Sequence, residues 1–185
     1  WQEEQIEQFE ARWPIGTTPR LAFDLALYTA QRRSDVRLMG PQHVKNGEIK
    51  VTQLKTGTPL WIPIHPALQA SIAATKVSDL AFLVSERGRP FTEKGFGMWF
   101  MRQCREAGLY GFSMHGLRKA ASRRMAEAGL SNQQIKSITG HKSDSEVARY
   151  TREAEQAKIA RTAMRDLTSA ENADLASDGE SIANA

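Results

Sequence analysis

Ser113-Met114-His115-Gly116-Leu117-Arg118-Lys119 is the stretch on which the reading of this chain turns. The pattern from His115 to Ala128 predicts a helix, and Gly129 ends it. On such a helix His115 and Arg118 stand at i and i+3 and share a side. Alone they read as a surface pair. Downstream, His141 lies in Gly140-His141-Lys142, and Tyr150 follows nine residues later in Ala148-Arg149-Tyr150-Thr151. Upstream stand Arg32 and Lys55. The set offers an anion clamp, proton-transfer groups and a hydroxyl nucleophile, which suits chemistry on a phosphodiester.

Composition bounds that reading. A chain of 185 residues with 41% apolar side chains fits one domain with a sizeable core. No apolar run is long enough to span a bilayer, and no signal-peptide pattern stands at its start. Cys104 is the only cysteine, so an intrachain disulfide is excluded, as suits the cytoplasm. The net charge of +4 hides an asymmetry. Residues 1–165 hold twenty-five basic and sixteen acidic residues, a net of +9. Residues 166–185 carry Asp166, Glu171, Asp174, Asp178 and Glu180 and no base. A basic body points to a polyanionic partner. The chain starts at Trp1 without Met, as a fragment or processed chain would.

Periodicity predicts helices over about 2–12, 18–30 and 33–39, the second opened by Thr18-Pro19 and the third closed by Gly40-Pro41. Asn46-Gly47 is a hairpin signal. Glu48–Lys55 and Pro59–Ile64 flank a second turn at Thr56-Gly57-Thr58, giving a small antiparallel sheet of three strands. Helices follow over about 67–75 and Thr92–Ala107, with an extended piece, Ala81–Ser85, between them. Ser131–Gln134 and Ser143–Glu146 read as capping boxes for two more, the second bearing Tyr150. Another helix is expected over about 153–166, and the last twenty residues read as a polar, flexible tail. The class is mainly α with a small antiparallel sheet (α+β).

Five segments in order carry a resemblance. Thr29-Ala30-Gln31-Arg32-Arg33-Ser34-Asp35-Val36 resembles the first arginine box of the tyrosine recombinases, the phage-integrase family. Gln53-Leu54-Lys55-Thr56-Gly57 resembles their hairpin lysine motif. His115-Gly116-Leu117-Arg118-Lys119 resembles the His-x-Leu-Arg-His box, Thr139-Gly140-His141 resembles Leu-Gly-His, and Tyr150 falls at the nucleophile. Ala30 stands for a common Gly, Asp35 for a common Glu and Lys119 for the second His. The resemblance implies a catalytic-domain fold over 1–165, with 166–185 an acidic tail and without the N-terminal core-binding domain usual in the family.

It also implies roles. Tyr150 would attack a DNA phosphodiester and form a 3′-phosphotyrosyl link. Arg32 and Arg118 would clamp the non-bridging oxygens, and His141 would hydrogen-bond one of them. His115 would be the general base, and Lys55, on a flexible hairpin tip, would protonate the departing 5′ oxygen. Asp35 would hold Arg32 in place. No metal or other cofactor enters this scheme. Arg33, Lys119, Arg123, Arg124, Lys142, Arg149 and Arg152 lie near the boxes in sequence, and some of them are expected on DNA phosphates. His43 and His65 read as structural or surface residues.

The expected partner is double-stranded DNA, engaged as a homotetramer that is monomeric when free, without membrane contact, in a bacterial or phage setting at the nucleoid. Ile159, Ala160, Ala163 and Met164 form an apolar face that either docks on a neighbouring protomer or packs on its own domain. The acidic tail would cover the basic cleft. Two alternatives stand beside recombination: relaxation of DNA by a type IB topoisomerase, and a DNA-binding regulator without catalysis.

Overall fold

In the computed structural model, residues 1–151 and 160–169 are described. The first helix, α1 (Glu3–Arg12), buries Ile6 and Phe9. The second, α2 (Thr18–Thr29), buries Leu21, Ala22, Phe23, Leu25, Ala26 and Leu27 in an almost unbroken run. A helix apolar on every side must be surrounded. Accordingly α2 packs against α4 (Pro66–Ala74), α5 (Glu93–Glu106) and α6 (Met114–Glu127). Phe9 stacks on Phe23 at 4.7 Å and on Phe100 at 5.6 Å, which ties α1, α2 and α5 into one core.

The cap of α2 is Thr17, one residue before the expected Thr18; its hydroxyl accepts from Arg20 N. The expected helix over 33–39 shrinks to α3 (Arg33–Val36). Leu38 N and Met39 N donate to Asp35 O and Val36 O, so the ladder tightens to i→i+3 and the chain turns away. A 3-10 turn over Pro41–His43 leads into the sheet, and His43 Nδ1 accepts from Gly40 N.

The sheet has the order β1 (Val44–Lys45), β2 (Glu48–Thr52), β3 (Pro59–Pro63), antiparallel throughout. Asn46 and Gly47 both take positive φ, 52° and 77°, as a two-residue hairpin turn matched to strand twist requires. Ile49, Val51, Leu60 and Ile62 point inward. On the outer face Lys50 pairs with Trp61, its ammonium 5.5 Å from the ring centroid. The expected strand to Lys55 stops at Thr52, because Gln53 N donates to Thr58 O and Gly57 N to Gln53 O, closing a turn. The extended piece at 81–85 forms only a bridge, Val84 to Pro90, around the turn at Gly88.

The remaining helices gather at one end. α7 (Asn132–Thr139) begins with the expected capping box of Ser131 and Gln134, and α8 (Asp144–Thr151) begins at Ser143, whose hydroxyl accepts from Glu146 N. Ala126, Ile135 and Val147 form a second small core that locks α6, α7 and α8 together. Residues 160–169 are helical, with Ala160, Ala163 and Met164 exposed. Ile159, the segment 152–159 and the tail from 170 onward lie outside the described residues. No described helix is long and apolar enough to cross a membrane.

Candidate active site

The end of α2 places the first arginine. Ala30 takes a left-handed conformation (φ 53°), which turns the chain sharply and makes Arg32 the cap residue of α3. Arg32 is half-buried, and its Nη1 is buried with no hydrogen-bond partner. Arg118, one turn into α6, is 3% exposed and donates from Nη1 to Ala30 O. The left-handed turn that aims Arg32 thus also supplies a carbonyl that holds Arg118. Both arginines line a cavity of about 580 Å³, together with Lys55, Ser113 and His115.

His141 enters through Arg118. The guanidinium has only donors, so Arg118 Nη2 donates to His141 Nε2 at 2.8 Å. The other ring nitrogen must then carry the proton, and Nδ1 donates to Thr139 Oγ1 at 2.8 Å. That hydroxyl in turn donates a hydrogen bond to Ile135 O at 2.7 Å. The chain of bonds fixes His141 as the neutral Nδ1–H tautomer. Burial, and then the Arg118 charge, push its pKa down to about 4. A direct bond from His141 to a non-bridging oxygen was expected; in this arrangement Nε2 is an acceptor occupied by Arg118. What the structure shows of His141 is that it holds one arm of the Arg118 guanidinium.

His115 occupies the first turn of α6 and is exposed at the cavity. Desolvation, followed by the charges of Lys119, Arg118 and Arg32, lowers its pKa below the ordinary histidine value. A neutral imidazole beside the cavity is the form a general base needs.

Lys55 is exposed at the β2–β3 turn. A flexible tip was expected there, but the backbone of the turn is tied on several sides. Besides the two backbone bonds that close it, Leu54 N donates to Asp35 Oδ1 at 2.9 Å. Asp35 was expected to hold Arg32 in place; its described contact is a different one. Its carboxylate, 3% exposed, makes no described ion pair or hydrogen bond with Arg32 and instead fastens the residue before Lys55.

Two residues with no expected role complete the site. Gln31 and Gln53 are both fully buried. Gln53 Nε2 donates to Gln31 Oε1 (2.7 Å) and Thr139 O (2.9 Å), and Gln31 Nε2 donates to Thr29 O and Ile138 O (2.8 Å each). Thr56 Oγ1 donates to Gln53 Oε1 at 2.8 Å. Every N–H of both amides is used, and the surrounding carbonyls fix which way each amide faces. A signal existed in the sequence: Ile49, Val51 and Gln53 continue the inward period of β2.

Tyr150 lies on α8, one turn after the buried Val147, on a helix packed against α6 and α7. The side chains of Arg149, Tyr150 and Thr151, and all of Arg152, lie outside what is described. Among the nearby cations, Arg123 is buried between Glu3 (2.8 Å) and Glu127 (2.9 Å), so it ties α1 to α6 and is not presented to solvent. Arg124 also reaches Glu3, at 3.6 Å. Arg33 lines the cavity beside Glu93, while Lys119 and Lys142 are exposed. His65 Nδ1 accepts from Ala67 N and its ring stacks on Tyr28, a structural task. No three His, Cys, Asp or Glu side chains cluster as a metal site among the described residues.

The sequence and the fold both have relatives. The chain is 30% identical to the integrase of Escherichia phage HK022 over 161 residues, which is 80% of this chain and 44% of that protein. It is 32% identical to the integrase of Escherichia phage lambda over 162 residues, 80% of this chain and 45% of that one. The chain thus spans less than half the length of these relatives. The crystal structure of a lambda integrase dimer bound to a COC' core site superposes with a TM-score of 0.68 at 27% identity, covering 83% of this chain and 49% of that one. The profile of the phage integrase family matches residues 2–157, a span that takes in every box meeting at the cavity, and the chain belongs to that family.

Proposed function

We propose that the chain is the catalytic domain, over 1–165, of a site-specific tyrosine recombinase that cuts and rejoins double-stranded DNA. The observation that carries this reading is the convergence of Arg32, Arg118, Lys55 and His115 on one cavity, with the Tyr150-bearing helix packed on α6. The Tyr150 hydroxyl attacks the scissile phosphorus and gives its proton to His115. Negative charge builds on the non-bridging oxygens in the transition state. Arg32, with Nη1 unpartnered, and Arg118, held by Ala30 O and His141, lie where planar donor forks can meet that charge. The bond from phosphorus to the 5′ oxygen breaks, and the Lys55 ammonium supplies the proton to the departing oxygen. Reversal by a 5′-hydroxyl rejoins the strand, since the bond energy is kept in the phosphotyrosine.

The DNA-bound lambda integrase dimer supports duplex DNA as the partner, with assembly of protomers upon it. The helix over 160–169 lies beside Gly129 of its own chain through Thr162 and Asp166; its exposed Ala160, Ala163 and Met164 are left for a neighbouring protomer, in a tetramer formed on DNA from free monomers. The Escherichia phage relatives support the bacterial nucleoid as the setting.

Covalent capture tests the reading. The chain is incubated with a pool of nicked duplexes of randomised sequence, and strands that become covalently attached are isolated and sequenced. The wild type should yield protein–DNA adducts enriched in one site, and Tyr150→Phe should yield none. Adducts of equal yield from the Phe variant would assign the nucleophile elsewhere. Relaxation of supercoiled plasmid without site preference would favour the topoisomerase reading.

A further inference from the structure

We propose that Gln31 and Gln53 are positioning residues that set the register of the Lys55 turn against both Arg32 and the His141 segment. The proposal rests on the reading of Lys55 as the leaving-group acid. Lys55 sits on a turn with no apolar anchor: Leu54 is 57% exposed, and Lys55 and Gly57 are exposed as well. Hydrophobic burial therefore does not hold the turn. Directional polar bonds do. Gln53, two residues before Lys55, is delivered to the inner face by the pleat of β2, where its amide bonds the neighbour of Arg32 and the carbonyl of Thr139, two residues before His141. Gln31, directly before Arg32, bonds Ile138 O in turn. One buried amide pair thereby joins the hairpin, the first arginine box and the end of α7.

On the other flank of the turn, Asp35 accepts from Leu54 N, and Thr56 closes back on Gln53 Oε1. Gly140 belongs to the same device. A Cβ there would lie 2.6 Å from Gln53 Nε2, so the approach of the amide needs a glycine. A buried polar network is costly unless every member is satisfied, and an apolar pair would fill the space without fixing direction. Direction is what a proton donor needs: displacement of a catalytic group by about 1 Å costs on the order of 10²-fold in rate.

The test separates positioning from general stability. The duplex selected by covalent capture is prepared with an ordinary phosphodiester and with sulfur in place of the 5′-bridging oxygen. A thiolate, with a conjugate-acid pKa of about 8.5 for a cysteine-like thiol, leaves without a proton, so the sulfur duplex bypasses Lys55. On the ordinary duplex Gln53→Met should cleave on the order of 10²-fold more slowly than wild type. On the sulfur duplex it should return near the wild-type rate, and Lys55→Ala should do the same. Thr56→Val, which leaves the Gln53 amide in place and loses the bond to Gln53 Oε1 and the one accepted from Thr58 Oγ1, should show a smaller loss with the same recovery; it carries the comparison if Gln53→Met fails to give a cooperative melt. Recovery of Lys55→Ala without recovery of the Gln53 and Thr56 variants overturns the positioning role. So does a folded Gln53→Met protein that cleaves the ordinary duplex at the wild-type rate. A Lys55→Ala protein that stays slow on sulfur overturns instead the leaving-group role of Lys55.

Discussion

The neutral His141 is a local feature with a measurable thermodynamic shadow. Its pKa falls to about 4 in the folded protein, while an unfolded histidine titrates near 6.5. Between those values the unfolded chain binds the extra proton, so stability falls as the solution is acidified through that window and levels off below it. The full shift corresponds to about 3 kcal/mol, most of it lost by pH 4.5. His141→Gln keeps an acceptor for Arg118 and cannot titrate. Urea unfolding of both proteins at pH 7 and pH 4.5 should show the wild type losing roughly 2–3 kcal/mol more than the variant. Equal losses would mean that His141 is not held neutral. Much at this scale was legible in the sequence. Arg32, Lys55, His115 and Arg118 could be picked out because the chemistry of their side chains and their spacing survive without coordinates. What Nε2 of His141 faces could not be, because it depends on a guanidinium twenty-three positions away.

Among the elements, helices with caps or strong periodicity were readable: Thr92, Ser131 and Ser143 start α5, α7 and α8 as their side chains predict. The misreadings fall where a short contact replaces a repeat. The shortened α3 and the early stop of β2 follow from i→i+3 bonds and a closed turn that hydrophobic pattern does not encode. Arg123 stood among seven cations of which some were expected on DNA phosphates; its burial against Glu3, far away in sequence, is what the pattern did not encode. The glycine at the end of α7 gives a direct test of tertiary constraint on a turn. Gly140 and Gly57 share a left-handed φ, 70° and 67°, so alanine at either costs about 1–2 kcal/mol of backbone strain. Nothing lies within 4 Å of a Cβ at Gly57, whereas at Gly140 it would meet the Gln53 amide. Gly140→Ala should therefore destabilise by at least about 1 kcal/mol more than Gly57→Ala in urea. Equal costs would show that the amide yields freely.

For the molecule as a whole, one core built around α2 and a smaller one among α6, α7 and α8 bring distant segments to a single cavity. The basic excess of residues 1–165 gives long-range attraction to a polyanion, but part of it is spent internally, as the burial of Arg123 between two glutamates illustrates. The fastened turn has a consequence for the timing of order. A loop that becomes ordered only on meeting its ligand subtracts that conformational entropy from binding. Here the loss is taken when the chain folds. The amide hydrogens of Gln53, Leu54 and Gly57 should then exchange with deuterated solvent far more slowly than those of Glu86 and Arg87, which make no described hydrogen bond in the exposed turn at Gly88, before any DNA is present. Equal exchange in the two turns would mean that the hairpin lysine waits for its substrate to be arranged. Slow exchange would mean that the backbone carrying Lys55 is set before any ligand is met.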